Sequence, residues 1–225
     1  PTRVKLRYEL LRDLARRGLN PFNVYRADDH PQPSRFPVFL RAEGGHFVPM
    51  TNLLRNQAEL DEALMSLRQS GHASYGLLVV ECCPSDRFDG RWHKWGAFYV
   101  AGDAVLDHIA VDETWMVKLG QWKHLTPAIV DLEHAAVMEN RFSGYVKEVF
   151  TIANIDFGRA DFGLTHGKPM LFEINTNPVI YDLSPDPHAL RCETRATARR
   201  RLAAALHATD SRESGTVEIA ADQLI

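Results

Sequence analysis

The stretch that most constrains this chain runs from Arg159 to Pro178. Arg159-Ala160-Asp161-Phe162-Gly163-Leu164 reads as a strand and Thr165-His166-Gly167-Lys168-Pro169 as a turn. Met170-Leu171-Phe172-Glu173-Ile174-Asn175-Thr176-Asn177-Pro178 reads as the returning strand and its exit. In the turn, glycine is free to take φ > 0 and proline presets its own φ. Glu173 and Asn175 are two residues apart, so on a strand they share a face. Asp161 can stand opposite them on the partner strand. Two carboxylates and an amide oxygen on one face make a hard-oxygen site of the kind that suits magnesium, which keeps waters and shares its ligands with substrate phosphates. The alternative is a solvated hairpin with its polar residues outward. Against it, Phe172 and Ile174 flank Glu173 in an otherwise apolar strand.

A chain of 225 residues is long enough to bury a core, as one large domain or two small ones. Charged residues make up 24% and hydrophobic residues 45%, ordinary values for a globular protein. The net charge of −3 argues against a general nucleic-acid binder. No apolar run is long enough to span a membrane, and no signal peptide is visible. The chain opens at Pro1 rather than Met, which leaves room for a segment upstream. Cys82, Cys83 and Cys192 form neither a spaced zinc set nor a disulfide framework, and they suit a reducing cytoplasm. The ten histidines show no ligand spacing.

The rest of the pattern predicts helices over 4–17, 56–70, 126–140, 143–153 and 186–208, with Asn56, Thr126 and Ser143 as N-caps. It predicts strands over 36–41, 76–83, 93–100 and 104–111, with Asp89-Gly90 and Ala101-Gly102-Asp103 as turns. Residues 20–34 read as a connecting loop, 112–125 as a loop of functional length, and 209–225 as a loosely held tail. In the last helix, Leu202 and Leu206 should point inward. Arg191, Arg195 and Arg199 should form a solvated face paired with Glu193, the alternative being a site for a substrate anion. Strands and helices are partly segregated, which favours α+β layers over a doubly wound parallel sheet. Asp156-Phe157-Gly158 and Asp161-Phe162-Gly163 both spell a protein-kinase triplet, but the kinase catalytic loop and long glycine-rich loop are absent.

With these elements placed, residues 3 to 180 resemble the ATP-grasp family. Arg159-Ala160-Asp161-Phe162 followed by Phe172-Glu173-Ile174-Asn175-Thr176-Asn177-Pro178 is similar to the closing motif of D-alanine–D-alanine ligases and glutathione-synthetase-like carboxylate–amine ligases. The resemblance implies an α+β fold whose two subdomains hold ATP between antiparallel sheets. The divisions are an N-terminal helix and connector (1–34), a small subdomain (35–84), a large subdomain with the metal hairpin (85–209) and a tail (210–225). It implies ATP with Mg²⁺ or Mn²⁺ held by Asp161, Glu173 and Asn175. Arg41 would take the place of the phosphate-touching strand lysine. Glu81 and the backbone of Cys82 and Cys83 would lie beside adenine, and Asp86 or Asp89 would meet the ribose. Lys94 joins the nucleotide set, and Lys118 would reach the terminal phosphate. Arg159 would steady the acyl phosphate and tetrahedral intermediate, its alternative being an ion pair with Asp156 or Asp161. The implied activity is a cytoplasmic carboxylate–amine ligase acting on small-molecule or peptide substrates, with no nucleic-acid or membrane partner and a homodimer left open. Arg41 in place of lysine, Pro84 where a backbone N–H often meets adenine, and the missing N-terminal substrate domain keep a second expectation open. That is a nucleotide-binding or interaction module that has lost turnover.

Overall fold

The computed structural model describes residues 3–44, 48–118, 120–180 and 186–210. Leu10, Leu11 and Leu14 fall on one stripe of helix α1 (Arg7–Arg16), and all three are buried. Beyond it, β1 (Val24–Arg26), β2 (Val38–Ala42) and β3 (Leu77–Glu81) form an antiparallel sheet in the order β1-β3-β2. Every residue of β3 is buried, as its central place requires. Helix α2 (Gln57–Gln69) covers this sheet by packing Leu60 and Leu64 against Val38, Leu40 and Val79. The Asn56 side chain caps it, accepting the Glu59 N–H at 3.0 Å.

The 20–34 segment is not wholly a loop, because β1 lies within it. The free edge of β3 presents backbone N–H and C=O groups that need partners. Val24, fully buried, and Arg26, ion-paired to Glu43 at 3.0 Å, bring the chain alongside.

The second sheet holds β4 (Arg87–Phe88), β5 (Arg91–Val100), β6 (Asp103–Asp112), β7 (Phe157–Thr165) and β8 (Lys168–Asn175). β5 is paired along its length by β6 on one side, and by β7 and the short β4 on the other; β8 lies beyond β7. Helices α3 (Pro127–Met138), α4 (Ser143–Ala153) and α5 (Ala189–Ala208) cover it. Alternation along β5 separates two contacts. Tyr99 stacks on Phe150 of α4 at 4.5 Å, while Phe98 and Val100 pack with Leu202 and Ala205 of α5.

Several helix starts differ from expectation. Ser143 is the first residue of α4 rather than its cap, and Phe142 holds the cap position in a left-handed conformation with φ 69°. The segment before α5 stays outside the helix because the Asp186 carboxylate accepts the His188 N–H at 3.0 Å, a local turn that competes with helix. Leu206, expected inside, is exposed. The loop before α3 contains a 3-10 turn at Trp122–His124. Gly45, His46 and residues 211–225 lie outside the described residues.

The N-terminal segment ties to the large sheet. Lys5 N–H donates to Ala153 O at 3.0 Å. The buried Asn20 amide pairs with the backbone of Leu171 in both directions, each at 2.9 Å, as a strand partner would. Among the described residues no helix is long and apolar enough to cross a membrane.

Candidate functional site

The β7–β8 register sets Asp161 directly opposite Glu173, and Arg159 opposite Asn175. Next to this pair the register slips by one, and Phe172 is the extra residue. Such bulges re-aim side chains at sheet edges and sites. Asp161 is buried; Lys94 Nζ donates to its Oδ2 at 2.8 Å, and Arg159 Nη1 lies 3.1 Å from its Oδ1. Burial alone would raise this carboxyl's pKa, but Arg159 and Lys94 outweigh it and hold it low. Glu173 Oε2 accepts from Arg7 Nη2 at 2.6 Å and from Arg41 Nη2 at 3.0 Å.

Arg7 went unread in the sequence. It falls on the stripe of Leu10, Leu11 and Leu14, where a cation is out of place unless it has a partner. Its Nη1 also donates to Ala42 O at 3.2 Å and Glu43 O at 2.7 Å. One guanidinium therefore joins the end of β2 to β8. Burial, and then repulsion from Arg41, lower the Arg7 pKa despite the pull of Glu173.

A second unread residue is Gly96, in the middle of β5. An added Cβ would lie 2.7 Å from Arg159 Cζ and 2.8 Å from its Nε. The Arg159 side chain thus lies flat across a strand that only glycine leaves open, and an interior-strand glycine is the sequence signal for such an approach. Opposite it, the β5–β6 register slips after Gly96 and leaves Asp107 as the extra residue of β6. Asp107 Oδ2 lies 2.7 Å from His108 Nδ1 and 3.9 Å from Arg159 Nε. Burial would raise Asp107, but His108, Arg159 and Arg199 together hold it down at about 2.

Between the two sheets runs a narrow slot of about 100 Å³, with walls including Phe22, Phe39, Val80, Trp115 and Phe172. Arg41, Glu81, Cys83, Lys94, Lys118, Asp161 and Glu173 reach the same slot. The Glu81 side chain is engaged structurally: its carboxylate accepts from Tyr25 Oη at 2.8 Å, Ser34 Oγ at 2.7 Å and Asn23 N at 2.8 Å. Cys82 is half-buried, with its backbone N–H bonded to Pro37 O at 2.8 Å. Asp86 caps the β7–β8 turn, accepting from His166 N at 3.0 Å and Gly167 N at 2.9 Å. Asp89 occupies the β4–β5 turn with φ 50°. Neither aspartate lines the slot. His93 does; it is buried, and desolvation lowers its pKa.

The hairpin supplies oxygen ligands of the type magnesium takes, with Glu173 Oε2 already taken up by Arg7 and Arg41. Asp161 Oδ1 is buried without a hydrogen-bond partner, its contact to Arg159 being electrostatic. Asn175 Oδ1 accepts the Asn177 N–H at 2.9 Å and keeps a second lone pair. All the donors are hard oxygens.

Beyond Lys94 and Lys118 a second cavity opens, of about 390 Å³, between α5 and β6. Arg191, Arg195 and Arg199 of α5 line it rather than standing in open solvent. Arg191 pairs with fully buried Glu133 at 2.6 Å and with Asp186 at 2.9 Å, Arg195 Nη1 lies 3.8 Å from Asp186, and Arg199 Nη1 lies 3.7 Å from Asp107. The expected pairing with Glu193 fails because Thr194, Ala198 and Leu202 form the buried stripe and turn the neighbouring 191-195-199 row inward.

No sequence profile of a known family matches the chain, and no curated protein matches it. It is similar in structure to solved ATP-grasp ligases. The L-amino acid ligase from Bacillus licheniformis is 14% identical, with a TM-score of 0.44, over 77% of this chain and 40% of that one. The D-alanine–D-alanine ligase from Helicobacter pylori is 13% identical, with a TM-score of 0.47, over 91% and 61%. The ATP-grasp ligase PsnB, complexed with a phosphomimetic variant of its minimal precursor, Mg and ADP, is 10% identical, with a TM-score of 0.45, over 88% and 56%. The chain spans between 40% and 61% of the length of these three proteins.

Proposed function

We propose that the chain carries an ATP- and magnesium-dependent carboxylate–amine ligase site. The observation that supports this most is the Asp161–Glu173 pair beneath Lys94, Arg159, Arg7 and Arg41, where the slot meets the second cavity. Four cations stand against two carboxylates in that group, an excess suited to a polyphosphate that arrives with its metal. Asp161, Glu173 and Asn175 would hold the ion, which neutralises phosphate charge when bound. The slot's aromatic walls offer a planar base an apolar seat, and the two sheets must part to admit a whole nucleotide.

In this reading a substrate carboxylate oxygen attacks the γ-phosphorus of ATP. The bond from that phosphorus to the bridging oxygen breaks, and its electron pair leaves with ADP. An amine nitrogen then attacks the acyl phosphate carbon. Phosphate departs with the C–O electron pair, and the amine proton passes to solvent. Lys94 and Lys118 orient the phosphate, and Arg159 stabilises charge on the acyl oxygen.

One observation favours the second reading, a nucleotide-binding or interaction module without turnover: Glu173 is already engaged by two guanidinium groups. Calorimetry with a non-hydrolysable ATP analogue and Mg²⁺, followed by assay of ADP and phosphate release across acid and amine pairs, separates the two. Heat without turnover on any pair supports the module. Turnover that Asp161→Asn and Glu173→Gln leave unchanged would sink the ligase assignment.

A further inference from the structure

We infer that His108 is the base that takes the proton of the attacking amine, with Asp107 as the residue that positions it. The role in turnover rests on the ligase reading; the placement of the ring does not. His108 stands on β6 in the wall of the second cavity, which Arg159, Lys94 and Lys118 also line. Its side chain is 27% exposed, whereas Asp107 beside it is buried. On a regular strand, neighbouring side chains point to opposite faces. The register slip after Gly96 breaks that alternation and lets Asp107 meet His108.

The partners of the ring fix its tautomer. Nδ1 lies 2.7 Å from Asp107 Oδ2, a carboxylate that can only accept, so Nδ1 holds the proton. Nε2 lies 3.4 Å from Arg159 Nη2, a group that can only donate. Both contacts leave the lone pair on Nε2, on the side of the ring turned from buried Asp107. The Arg159 contact is long, so an amine N–H can replace it. The other ionisable side chains lining the cavity, among those described, are lysines and arginines, which phosphate and acyl oxygen need charged, and Asp107 itself, which at about 2 is too weak a base. In the step, the amine lone pair forms the C–N bond at the acyl carbon. The C–O bond to phosphate breaks and its electron pair leaves with phosphate. The amine proton moves to Nε2 and from there to solvent. Asp107 balances the imidazolium so formed, and the charge of Arg159 beside it favours release of the proton.

Two measurements on the full chain test this. Diethylpyrocarbonate acylates an accessible neutral imidazole, so mass mapping of the native chain should find His108 modified and buried His93 and His124 unmodified. ATP, Mg²⁺ and a panel of amino acids and dipeptides are then supplied with glycinamide, or with hydroxylamine, which attacks an acyl phosphate without help from a base. His108→Gln should lower the ratio of glycinamide product to hydroxamate at least ~100-fold, and Asp107→Asn at least ~10-fold. If His108→Gln fails to fold, His108→Asn serves the same comparison. His108 unmodified in the native chain, or a ratio that a folded His108 variant leaves unchanged, would overturn the role and leave the ligase reading standing. A ratio that Asp107→Asn leaves unchanged removes the positioning by Asp107. No product with either nucleophile from any acid of the panel removes the ligase reading, and the role with it, whatever the labelling.

Discussion

Asp161 and Glu173 are direct partners across the β7–β8 ladder, yet different parts of the chain neutralise them. Lys94 of β5 and Arg159 of β7 hold Asp161, whereas Arg7 of α1 and Arg41 of β2 hold Glu173. The pair therefore marks where the small sheet, the first helix and the large sheet meet, and charge placed there is felt by all three.

Replacing Asp161 by Asn removes the charge and keeps the shape. On the proposed ligase reading, turnover should fall at least ~100-fold, in the range for losing one preorganised electrostatic group. Stability should drop by about 1–3 kcal/mol, because Lys94 and Arg159 lose a buried counter-charge. Steady-state ADP release and urea denaturation measure the two effects.

Gly96→Ala places a methyl where the Arg159 guanidinium now lies. A flexible side chain can move aside, so stability should change by only about 1 kcal/mol. Turnover should fall much further, because Arg159 loses its approach to Asp161 and His108. In an Arg159→Ala background the same change should have no further effect on turnover; an additive loss would refute the contact as the cause.

Asp107 gives the acid limb a defined slope. Its folded pKa of about 2 lies below the unfolded value near ~3.9. Its contribution is then fully present above about pH 4 and is lost as pH falls through 2. The stability difference between the native chain and Asp107→Asn should shrink by about 2 kcal/mol between pH 5 and pH 2. A constant difference over that range in chemical denaturation would contradict the assignment.

The Glu133–Arg191 pair is buried, and Glu133 Oε1 also accepts the Ile109 N–H at 3.0 Å. Arg191→Met alone should cost about 3–5 kcal/mol, since it strands a carboxylate with no exposure. Adding Glu133→Gln, which keeps an acceptor for Ile109, should recover most of that loss. Melting curves of the single and double variants decide it.

Cys82 is held as a thiol: burial first, then neighbouring Cys83, push it up to about 11. At pH 8 about one part in a thousand is thiolate. Exposed Cys192 should react with iodoacetamide first, and Cys82 only after unfolding. Mass mapping of the labelled native chain tests this, and early label on Cys82 would count against it.

The sequence by itself determined the hairpin, its turn and the meeting of Asp161 with Glu173, because strand alternation and turn chemistry act over a few residues. It also determined most helix and strand positions and the α+β character. Three things only the tertiary structure decided. Val24–Arg26 became a strand because β3 had a free edge, which no local pattern announces. The α5 arginines turned inward because packing of Thr194, Ala198 and Leu202 fixed the rotation of that helix. Arg7 reached Glu173 across 166 residues of chain because α1 lies against both sheets. Short-range periodicity sets which face a residue occupies, but what that face meets depends on how distant elements pack.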